Sequence, residues 1–307
     1  MDFDEKRYEL NKSLGKGDNS CYIFLGYDKK KKEEVSIKFY PYNEYNEDEI
    51  KKIVENDIKI NNKLQKNKYI IEIYDYFKDS VGYYIVMEKI DGKLKDFYFE
   101  MDKIQIQKFI KDFCCAYKVL LDNKILYRSI NLDNILIKKN NLDYEIKFSN
   151  FHYGKNLIER YATTILSWFF SAPEISEEGK YDNLVDMWDF GIILYFMIFK
   201  KKPQYENKKI QFVEKDAVYP EFISTLKTML DEDRKKRCKW EDLFKKLEII
   251  NKNNLNVVTF KKMKLFEDYV LDKKYKILSC KGRGAFGIVF KGINLNNNEL
   301  VAIKSFS

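Results

Sequence analysis

The sequence is poor in the residues that terminate elements or cross-link small folds. Its 307 residues include four prolines, twelve glycines and a single histidine, His152. The five cysteines are odd in number, two of them are adjacent, and no CxxC pair occurs, so neither a disulfide framework nor a zinc site is indicated. We expect buried thiols in a reducing compartment, and we expect the few clustered glycines to mark functional turns.

Long apolar runs are also missing. The most apolar stretch, residues 191–199, is far shorter than the ~20 residues that a membrane helix needs. The first residues, MDFDEKRYEL, are charged and contain no apolar signal core. These absences predict a cytoplasmic protein without a membrane partner.

The charge balance does not predict a nucleic-acid partner either. The formal net charge is +8, but lysine and glutamate are interleaved along the chain, whereas a nucleic-acid site clusters its basic residues on one face. We interpret the charge as a mixed, solvated surface. Hydrophobic residues make up 45% of the chain, which is enough for a buried core.

A segment near the start of the chain recurs near its end. In both copies a glycine-rich turn is followed by a V-x-I-K sequence. Lys38 lies 23 residues after Gly15, and Lys304 lies 22 residues after Gly282. Two copies so far apart predict two domains in tandem rather than a repeat array.

Hydrophobic periodicity predicts a small β-rich lobe followed by a larger helical lobe. We predict strands within residues 8–40, 69–77 and 83–88 and helices through residues 50–64, 104–123 and 183–199. The predicted domains are residues 1–250, a polar connector at 251–274, and the start of a second domain at 275–307.

The glycines of the second copy form the pattern G-R-G-A-F-G between two predicted strands. Such a turn lets the backbone N–H groups approach a phosphate closely. A V-A-I-K lysine 22 residues later makes the pattern specific, because a strand lysine reaches the same phosphates. This pairing resembles the eukaryotic protein kinase family. The second-copy positions that the resemblance implies for ATP are Gly282, Gly284, Gly287, Val289, Ala302 and Lys304.

The first copy supplies the later segments of the same family pattern. They are Met87-Glu88 as the hinge, Tyr127-Arg128-Ser129 with Asn134 as the catalytic loop, Asn150-Phe151-His152 in place of D-F-G, Ala172-Pro173-Glu174 as A-P-E, Asp186 and Trp188 as the D-x-W helix, and Arg237 as the partner of Glu174. The ATP positions implied in this copy are Gly15, Gly17, Lys38, Met87 and Glu88.

The resemblance implies an α+β, bilobal protein-kinase-like fold over residues 8 to about 248. Its small β-rich lobe carries one long helix, and its larger lobe is mainly helical. For residues 275–307 the resemblance implies only the first three strands of a second kinase domain. We therefore expect the sequence to be a truncated form of a longer tandem protein.

The family's two catalytic aspartates are both replaced. Ser129 stands at the position of the base that accepts the substrate proton, and Asn150 at the position of the aspartate that holds Mg²⁺. A serine at neutral pH is no base, and losing a general base costs roughly 10²–10⁴ in rate. Asparagine lacks the charge that a hard cation prefers. No catalytic residue is intact, although Asn134 is retained, and Asn134 with Asn150 makes only a degenerate metal site.

The nucleotide site of the first copy departs from the family too. Tyr22 stands at the position that the family gives to a valine over the adenine, and Ser36 replaces the alanine of V-A-I-K. Asp18 adds a negative charge near the expected phosphates. For Lys38, Asp57 fits the place of the usual glutamate partner, and Glu55 lies nearby. We predict weak or absent ATP binding.

Three functions remain compatible with the sequence. The leading prediction is a catalytically inactive regulatory pseudokinase that acts on a kinase, or another protein partner, in cis or in trans. The alternatives are an active Ser/Thr protein kinase with atypical catalytic residues and a nucleotide-independent scaffold. Nucleotide binding without turnover separates the first from the third, and phosphoryl transfer identifies the second.

Overall fold

The chain divides into two compact units, Met1–Ile250 and Asn251–Ser307. A computed structural model describes residues 7–17, 21–64, 67–140, 143–156, 172–176, 182–206, 209–247, 270–271, 275–284, 287–297 and 299–305.

The first lobe of the larger unit is a five-stranded antiparallel sheet. Its strands are β1 (Tyr8–Lys16), β2 (Tyr22–Asp28), β3 (Glu33–Pro41), β4 (Ile73–Lys78) and β5 (Gly82–Glu88), in the order β1-β2-β3-β5-β4. Helix α1 (Glu47–Leu64) connects β3 to β4. Its first turn is acidic, which complements the helix dipole, and its buried residues Ile50, Val54 and Ile58 pack in one cluster with Ile85 of β5.

The strand predicted from residue 69 is shorter than the sequence indicates. Strand β4 begins only at Ile73. Ile70 makes an isolated bridge with Phe148, and the backbone N–H of Ile71 donates to the Phe148 carbonyl at 3.0 Å. The apolar residues before β4 are therefore buried against the other lobe and not in the sheet, so the prediction of a strand over 69–77 was wrong in its first part.

The second lobe is mainly helical. Its helices are α2 (Leu94–Phe97), α3 (Lys103–Asp122), α4 (Leu184–Phe199), α5 (Ile223–Met229) and α6 (Trp240–Lys246). Its short strands form the sheet β6 (Gly92–Lys93), β8 (Ile135–Asn140) and β9 (Asp143–Phe148) and the pairs β7 (Ile125–Leu126) with β10 (Lys155–Asn156) and β11 (Tyr205–Glu206) with β12 (Lys209–Ile210). Single 3₁₀ turns cover Phe151–Tyr153, Pro173–Ser176, Glu214–Asp216 and Pro220–Phe222.

Aromatic side chains of α3, α4 and α6 form the centre of this lobe. The rings of Phe113 and Phe190 are stacked with centroids 3.9 Å apart, and those of Tyr117 and Trp240 with centroids 3.7 Å apart. Stacked pairs add to the stabilisation from buried area. Helices α3 and α4 confirm the helices predicted through residues 104–123 and 183–199, and the two lobes fit the bilobal arrangement.

The smaller unit contains a four-stranded antiparallel sheet. Its strands, in sheet order, are β13 (Val270–Leu271), β14 (Tyr275–Gly284), β15 (Gly287–Asn294) and β16 (Leu300–Ser305). The side chains of Val289 and Lys304 lie outside the described residues. The backbone register nevertheless pairs Val289 with Lys304.

Two expectations about the whole chain concern thiols and membranes. Among the described residues, Cys21, Cys114, Cys115 and Cys238 are free, and the first three are buried. No helix in the described part of the chain has both the length and the apolarity that a membrane span requires.

Candidate functional site

A buried ion pair joins Lys38 of β3 to Asp57 of α1. The Lys38 Nζ lies 3.0 Å from Asp57 Oδ2, and the two side chains are only 4% and 5% exposed. Burial lowers the pKa of Lys38, but the charge of Asp57, together with Tyr40 and Cys21, more than offsets it and holds that pKa above its ordinary value. Lys38 is therefore a cation whose partner is Asp57, as the spacing indicates, whereas Glu55 is 64% exposed and faces Lys51.

A chain of side-chain hydrogen bonds continues from Lys38 through the positions of the missing aspartates. Lys38 Nζ donates to Asn150 Oδ1, and Asn150 Nδ2 donates to Asn134 Oδ1. Asn134 Nδ2 in turn donates to Ser129 Oγ at 2.6 Å and to the Ser129 carbonyl at 2.9 Å. We call Ser129, Asn134 and Asn150 the amide relay. The sequence-predicted catalytic and metal positions thus come together, and the side-chain amides of Asn150 and Asn134 both donate within the set.

The amide relay does not fit a magnesium ion. Mg²⁺ is held through carboxylates and water in near-octahedral geometry, and the relay offers two neutral amides. The Oδ1 atoms of Asn134 and Asn150 already accept hydrogen bonds from protein donors, and one of those donors is the charged Lys38. In the described part of the chain no group of three His, Cys, Asp or Glu side chains is arranged to hold a metal.

Helix α1 is tied to the turn that follows Asn150. The Phe151 N–H donates to Asp57 Oδ1 at 2.7 Å. The adjacent Asn56 donates its Nδ2 to the carbonyls of His152 at 2.6 Å and Gly154 at 3.2 Å. Two neighbouring side chains of one helix therefore fix the backbone of this turn, and Asp57 stabilises the turn and Lys38 at once.

His152, which replaces the family glycine, is a buried neutral side chain. Burial, reinforced by the charge of Lys38 and opposed by Asp57, lowers the pKa of His152 from 6.5 to about 4. Its ring lies 4.1 Å from the Tyr153 ring. A proton on His152 is thus disfavoured at neutral pH, and the residue has the character of a packed core group.

Acidification from pH 8 to pH 5 is expected to remove about 2 kcal/mol of the free energy of unfolding through His152. The unfolded chain gains a proton near pH 6.5, while the folded His152 stays neutral down to about pH 4. The neutral His152 stabilises the fold fully above pH 6.5, and this effect is lost as the pH falls from 6.5 to about 4. Urea unfolding of the unmodified chain and of His152→Gln at both pH values isolates the contribution of His152. The carboxylates titrate in both proteins, so their effect cancels in the comparison. Equal pH dependence in the two proteins contradicts the expectation.

The loop that contains Ser129 is held by a buried aspartate of helix α4. Asp186 accepts the backbone N–H groups of Tyr127 at 2.9 Å and Arg128 at 2.8 Å, and the Tyr117 hydroxyl at 2.6 Å. Arg128 has a φ of 60°, a left-handed conformation that a non-glycine residue keeps only when its surroundings impose it. The loop geometry is therefore imposed by Asp186 and does not depend on a catalytic carboxylate.

A second scaffold contact is the predicted pair between Arg237 and Glu174, which is confirmed. The guanidinium binds both carboxylate oxygens, with Nη2 at 2.9 Å from Oε2. Its Nη1 also donates to the Leu184 carbonyl at 2.9 Å, and Cζ lies 5.0 Å from the centre of the Trp188 ring. Bidentate pairs of this kind fix orientation as well as distance.

The two hinge residues at the end of β5 have different roles. Met87 is buried. The Glu88 carboxylate lies 2.8 Å from Lys147 Nζ and 2.8 Å from Lys138 Nζ. Burial raises the pKa of Glu88, but its hydrogen bonds to the two lysines more than offset this and lower it overall. The Glu88 side chain therefore links the hinge to β8 and β9, so any contact of Glu88 with a ligand is left to its backbone.

The glycines of the first turn are required by the turn itself. Gly15 has a φ of 104°, which side chains other than hydrogen rarely allow. A Cβ added to Gly17 would lie 2.4 Å from the Cys21 Sγ. Both glycines are thus explained without a ligand. Asp18, expected near the phosphates, lies outside the described residues.

By strand register, the position that the family gives to a valine over the adenine is Ile23 and not Tyr22. The strand register pairs Ile23 with Lys38 in the first copy, just as it pairs Val289 with Lys304 in the second. The first glycine-rich turn is one residue longer, so the alignment of motifs assigned the wrong residue. Because side chains alternate along a strand, the shift by one places Tyr22 on the opposite face of the sheet.

The sequence model of the protein kinase domain matches residues 8–247. The chain belongs to the protein kinase family. The match covers both lobes of the larger unit, including the Lys38–Asp57 pair, the amide relay and the scaffold contacts of Asp186 and Arg237.

The relatives of this kinase-family chain carry the names of protein kinases. It is 31% identical over 205 residues to the serine/threonine-protein kinase TIO of Arabidopsis thaliana, which covers 61% of this chain and 15% of that protein. It is 30% identical over 198 residues to the protein kinase kin1 of Schizosaccharomyces pombe, a match that covers 59% of this chain and 22% of that protein. A probable serine/threonine-protein kinase KIN1 homolog of Enterocytozoon bieneusi is 27% identical over 266 residues, a match that covers 77% of this chain and 42% of that protein. The chain thus spans less than half the length of each of these relatives.

Two residues of the kinase domain were missed by sequence reasoning. Asn56 was not singled out because an asparagine inside a helix usually reads as a solvent-facing residue. Lys93 of β6 was overlooked among the many lysines, yet its Nζ donates to the Lys16 carbonyl at 2.5 Å and lies 3.3 Å from Asp133 Oδ1. Only the packing of the two lobes reveals either role.

Proposed function

We propose that residues 8–247 form a regulatory kinase domain that does not transfer phosphate. The observation that carries the proposal is the amide relay, in which Ser129, Asn134 and Asn150 hydrogen-bond to one another. Phosphoryl transfer needs a residue that accepts the substrate proton and a metal that neutralises the developing charge. The relay supplies neither a basic carboxylate nor an anionic metal ligand.

The preserved contacts favour a domain that is used for binding. Asp186, Glu174 and Arg237 maintain the loop and lobe geometry of the family, while the groups that perform chemistry are replaced. By this proposal the domain is a cytoplasmic module that contacts a protein partner, either a kinase in trans or a kinase domain in cis. Nucleic acid and membrane are not among its proposed partners, and ATP binds it weakly or not at all.

The smaller unit fits a tandem arrangement within this proposal. Residues 275–307 contain the pattern of Gly282, Gly284 and Gly287 followed by Lys304, and strands β14, β15 and β16 carry it. We assign this segment to the first strands of a second protein kinase domain. Its sequence motif predicts ATP as the ligand. The first domain would then act on its own neighbour.

An active Ser/Thr kinase with atypical catalytic residues is the second candidate. The Lys38–Asp57 pair is formed, Asn134 is retained, and the relatives are named as serine/threonine-protein kinases. Positioning alone contributes much of enzymatic catalysis. A nucleotide-independent scaffold is the third candidate, and the burial of Met87 and Leu136 in the cleft favours it.

The full chain is expected to show no phosphoryl transfer to protein substrates or to itself with Mg²⁺ and ATP. The measurement is radiolabelled phosphate incorporation, compared with the double variant Lys38→Met/Asp57→Asn, which removes the buried ion pair as a unit. Ser129→Asp alone is expected to stay at the same background, because the metal site still lacks a charge. Incorporation by the unmodified chain above that of the double variant supports the second candidate and refutes the proposal.

A further inference from the structure

We propose that the purine slot of this kinase domain is filled by the chain's own side chains, and that Ser36 is the residue that excludes the base. The inference rests on the proposed function and deepens it, since it gives a structural reason for weak nucleotide binding. Three contacts carry it: one at the hinge backbone, one between the lobes, and one at the mouth of the cleft.

The first contact is a hydrogen bond between a backbone N–H of the hinge and a side chain of the protein itself. The Ile90 N–H, three residues after Met87, donates to Ser36 Oγ at 3.1 Å. Ser36 is fully buried on β3 and stands where the second copy has Ala302. A purine presents ring-nitrogen acceptors along its edge, so it needs a backbone donor of this kind. Here an incoming base must first break the buried hydrogen bond between Ile90 and Ser36. The free energy that the base gains from its own hydrogen bond to Ile90 is then mostly cancelled.

The second contact is an apolar cluster that spans the two lobes. Ile23 of β2, Met87 of β5 and Leu136 of β8 belong to one buried cluster together with Ile90. A slot that is open for a flat ring leaves its walls accessible to solvent when no ring is bound. Ile23 is only 3% exposed, and Met87 and Leu136 are 2% exposed, so the walls already cover each other. An aromatic base would have to separate them and lose that burial.

The third contact ties the lobes together at the mouth of the cleft. Lys93 of β6 donates to the Lys16 carbonyl at the end of β1 at 2.5 Å and lies 3.3 Å from Asp133 Oδ1, in the loop before β8. The Lys93 side chain is 5% exposed. The positive charge of Lys93 would itself attract a phosphate, so Lys93 does not exclude a nucleotide through its charge. Lys93 therefore acts as a bridge between the lobes at the mouth of the cleft.

Calorimetric titration of the full chain with adenosine and with ADP, without metal, tests the inference. Ser36→Ala is expected to bind adenosine about fivefold more tightly or better than the unmodified chain, the gain that matches one competing hydrogen bond removed. Lys93→Ala is expected to increase affinity independently, and the two changes together to increase it further. Lys89→Ala is the matched control, because this neighbouring lysine pairs with Glu34 on the exposed surface, and it should change nothing.

Hydrogen exchange at Ile90 separates occupancy of the slot from a general loosening of the fold. In the unmodified chain this amide should exchange slowly with or without adenosine. In Ser36→Ala it should exchange faster, and adenosine should slow it again. The inference is overturned if the unmodified chain binds adenosine as tightly as folded Ser36→Ala, or if neither Ser36→Ala nor Lys93→Ala gains affinity. Tight binding without phosphoryl transfer defeats only this inference, whereas transfer defeats the proposed function.

Discussion

Lys38→Met is expected to lower the free energy of unfolding of the kinase domain by roughly 3–5 kcal/mol. The substitution leaves the Asp57 carboxylate buried without its cation, and it removes the donor to Asn150 Oδ1. A buried charge without a partner is far more costly than an intact pair. Urea unfolding followed by tryptophan fluorescence measures the loss.

The double variant Lys38→Met/Asp57→Asn is expected to recover most of this stability. Asparagine keeps an oxygen that accepts the Phe151 N–H and carries no charge. Lys89→Met, which breaks an exposed ion pair with Glu34, should cost no more than about 1 kcal/mol. If the single and double variants of the buried pair are equally unstable, the cost does not come from the charge of Asp57. Lys38 then matters through packing and through its hydrogen bond to Asn150.

Asp186→Ala is expected to cost roughly 4 kcal/mol of the free energy of unfolding, because three buried donors lose their acceptor. These are the N–H groups of Tyr127 and Arg128 and the hydroxyl of Tyr117. The loop that carries Ser129 should also lose its fixed geometry. Chemical unfolding measures the first effect, and amide exchange at Tyr127 and Arg128 measures the second.

The matched control for Asp186 lies four residues earlier at the start of the same helix. Asp182 is 42% exposed, pairs with Arg234 at the surface and accepts the Leu184 N–H at 3.0 Å, so Asp182→Ala should cost about 1 kcal/mol. Asp186→Asn, which keeps one acceptor oxygen, should fall between the two. A cost for Asp186→Ala no larger than that of Asp182→Ala would show that the loop is held by other contacts.

The sequence predicts the elements of this fold better than it predicts contacts across the cleft. Helix α4 was predictable because a long apolar stretch bounded by polar residues is most often a buried helix. Helix α3 was predictable because its apolar positions follow a helical period. The strand over 69–77 failed in its first part because burial against the other lobe and burial in a sheet leave the same apolar signature. Periodicity reports that a residue is buried, not what buries it.

The candidate site divides in the same way. The replacements at Ser129 and Asn150 are visible from motif spacing, as is the pairing of Glu174 with Arg237. The assignment of Tyr22 failed because one extra residue in a turn changes the strand register, and register depends on pairing with β3. That Ser36 caps the Ile90 N–H was also not predictable, since it requires the curvature of the hinge. Such contacts depend on geometry between segments distant in the chain.

The amide relay makes the loss of catalytic groups difficult to reverse one mutation at a time. Asn150 donates to Asn134 Oδ1 and accepts from Lys38. An aspartate at position 150 has no donor for Asn134, so either two oxygens face each other or the Asn134 amide turns over and loses its bonds to Ser129. A second carboxylate would also compete with Asp57 for Lys38. Placing the family's aspartate at position 150 alone is therefore expected to give a less stable protein. A single substitution toward the family's pattern would then cost stability before it could supply a metal ligand.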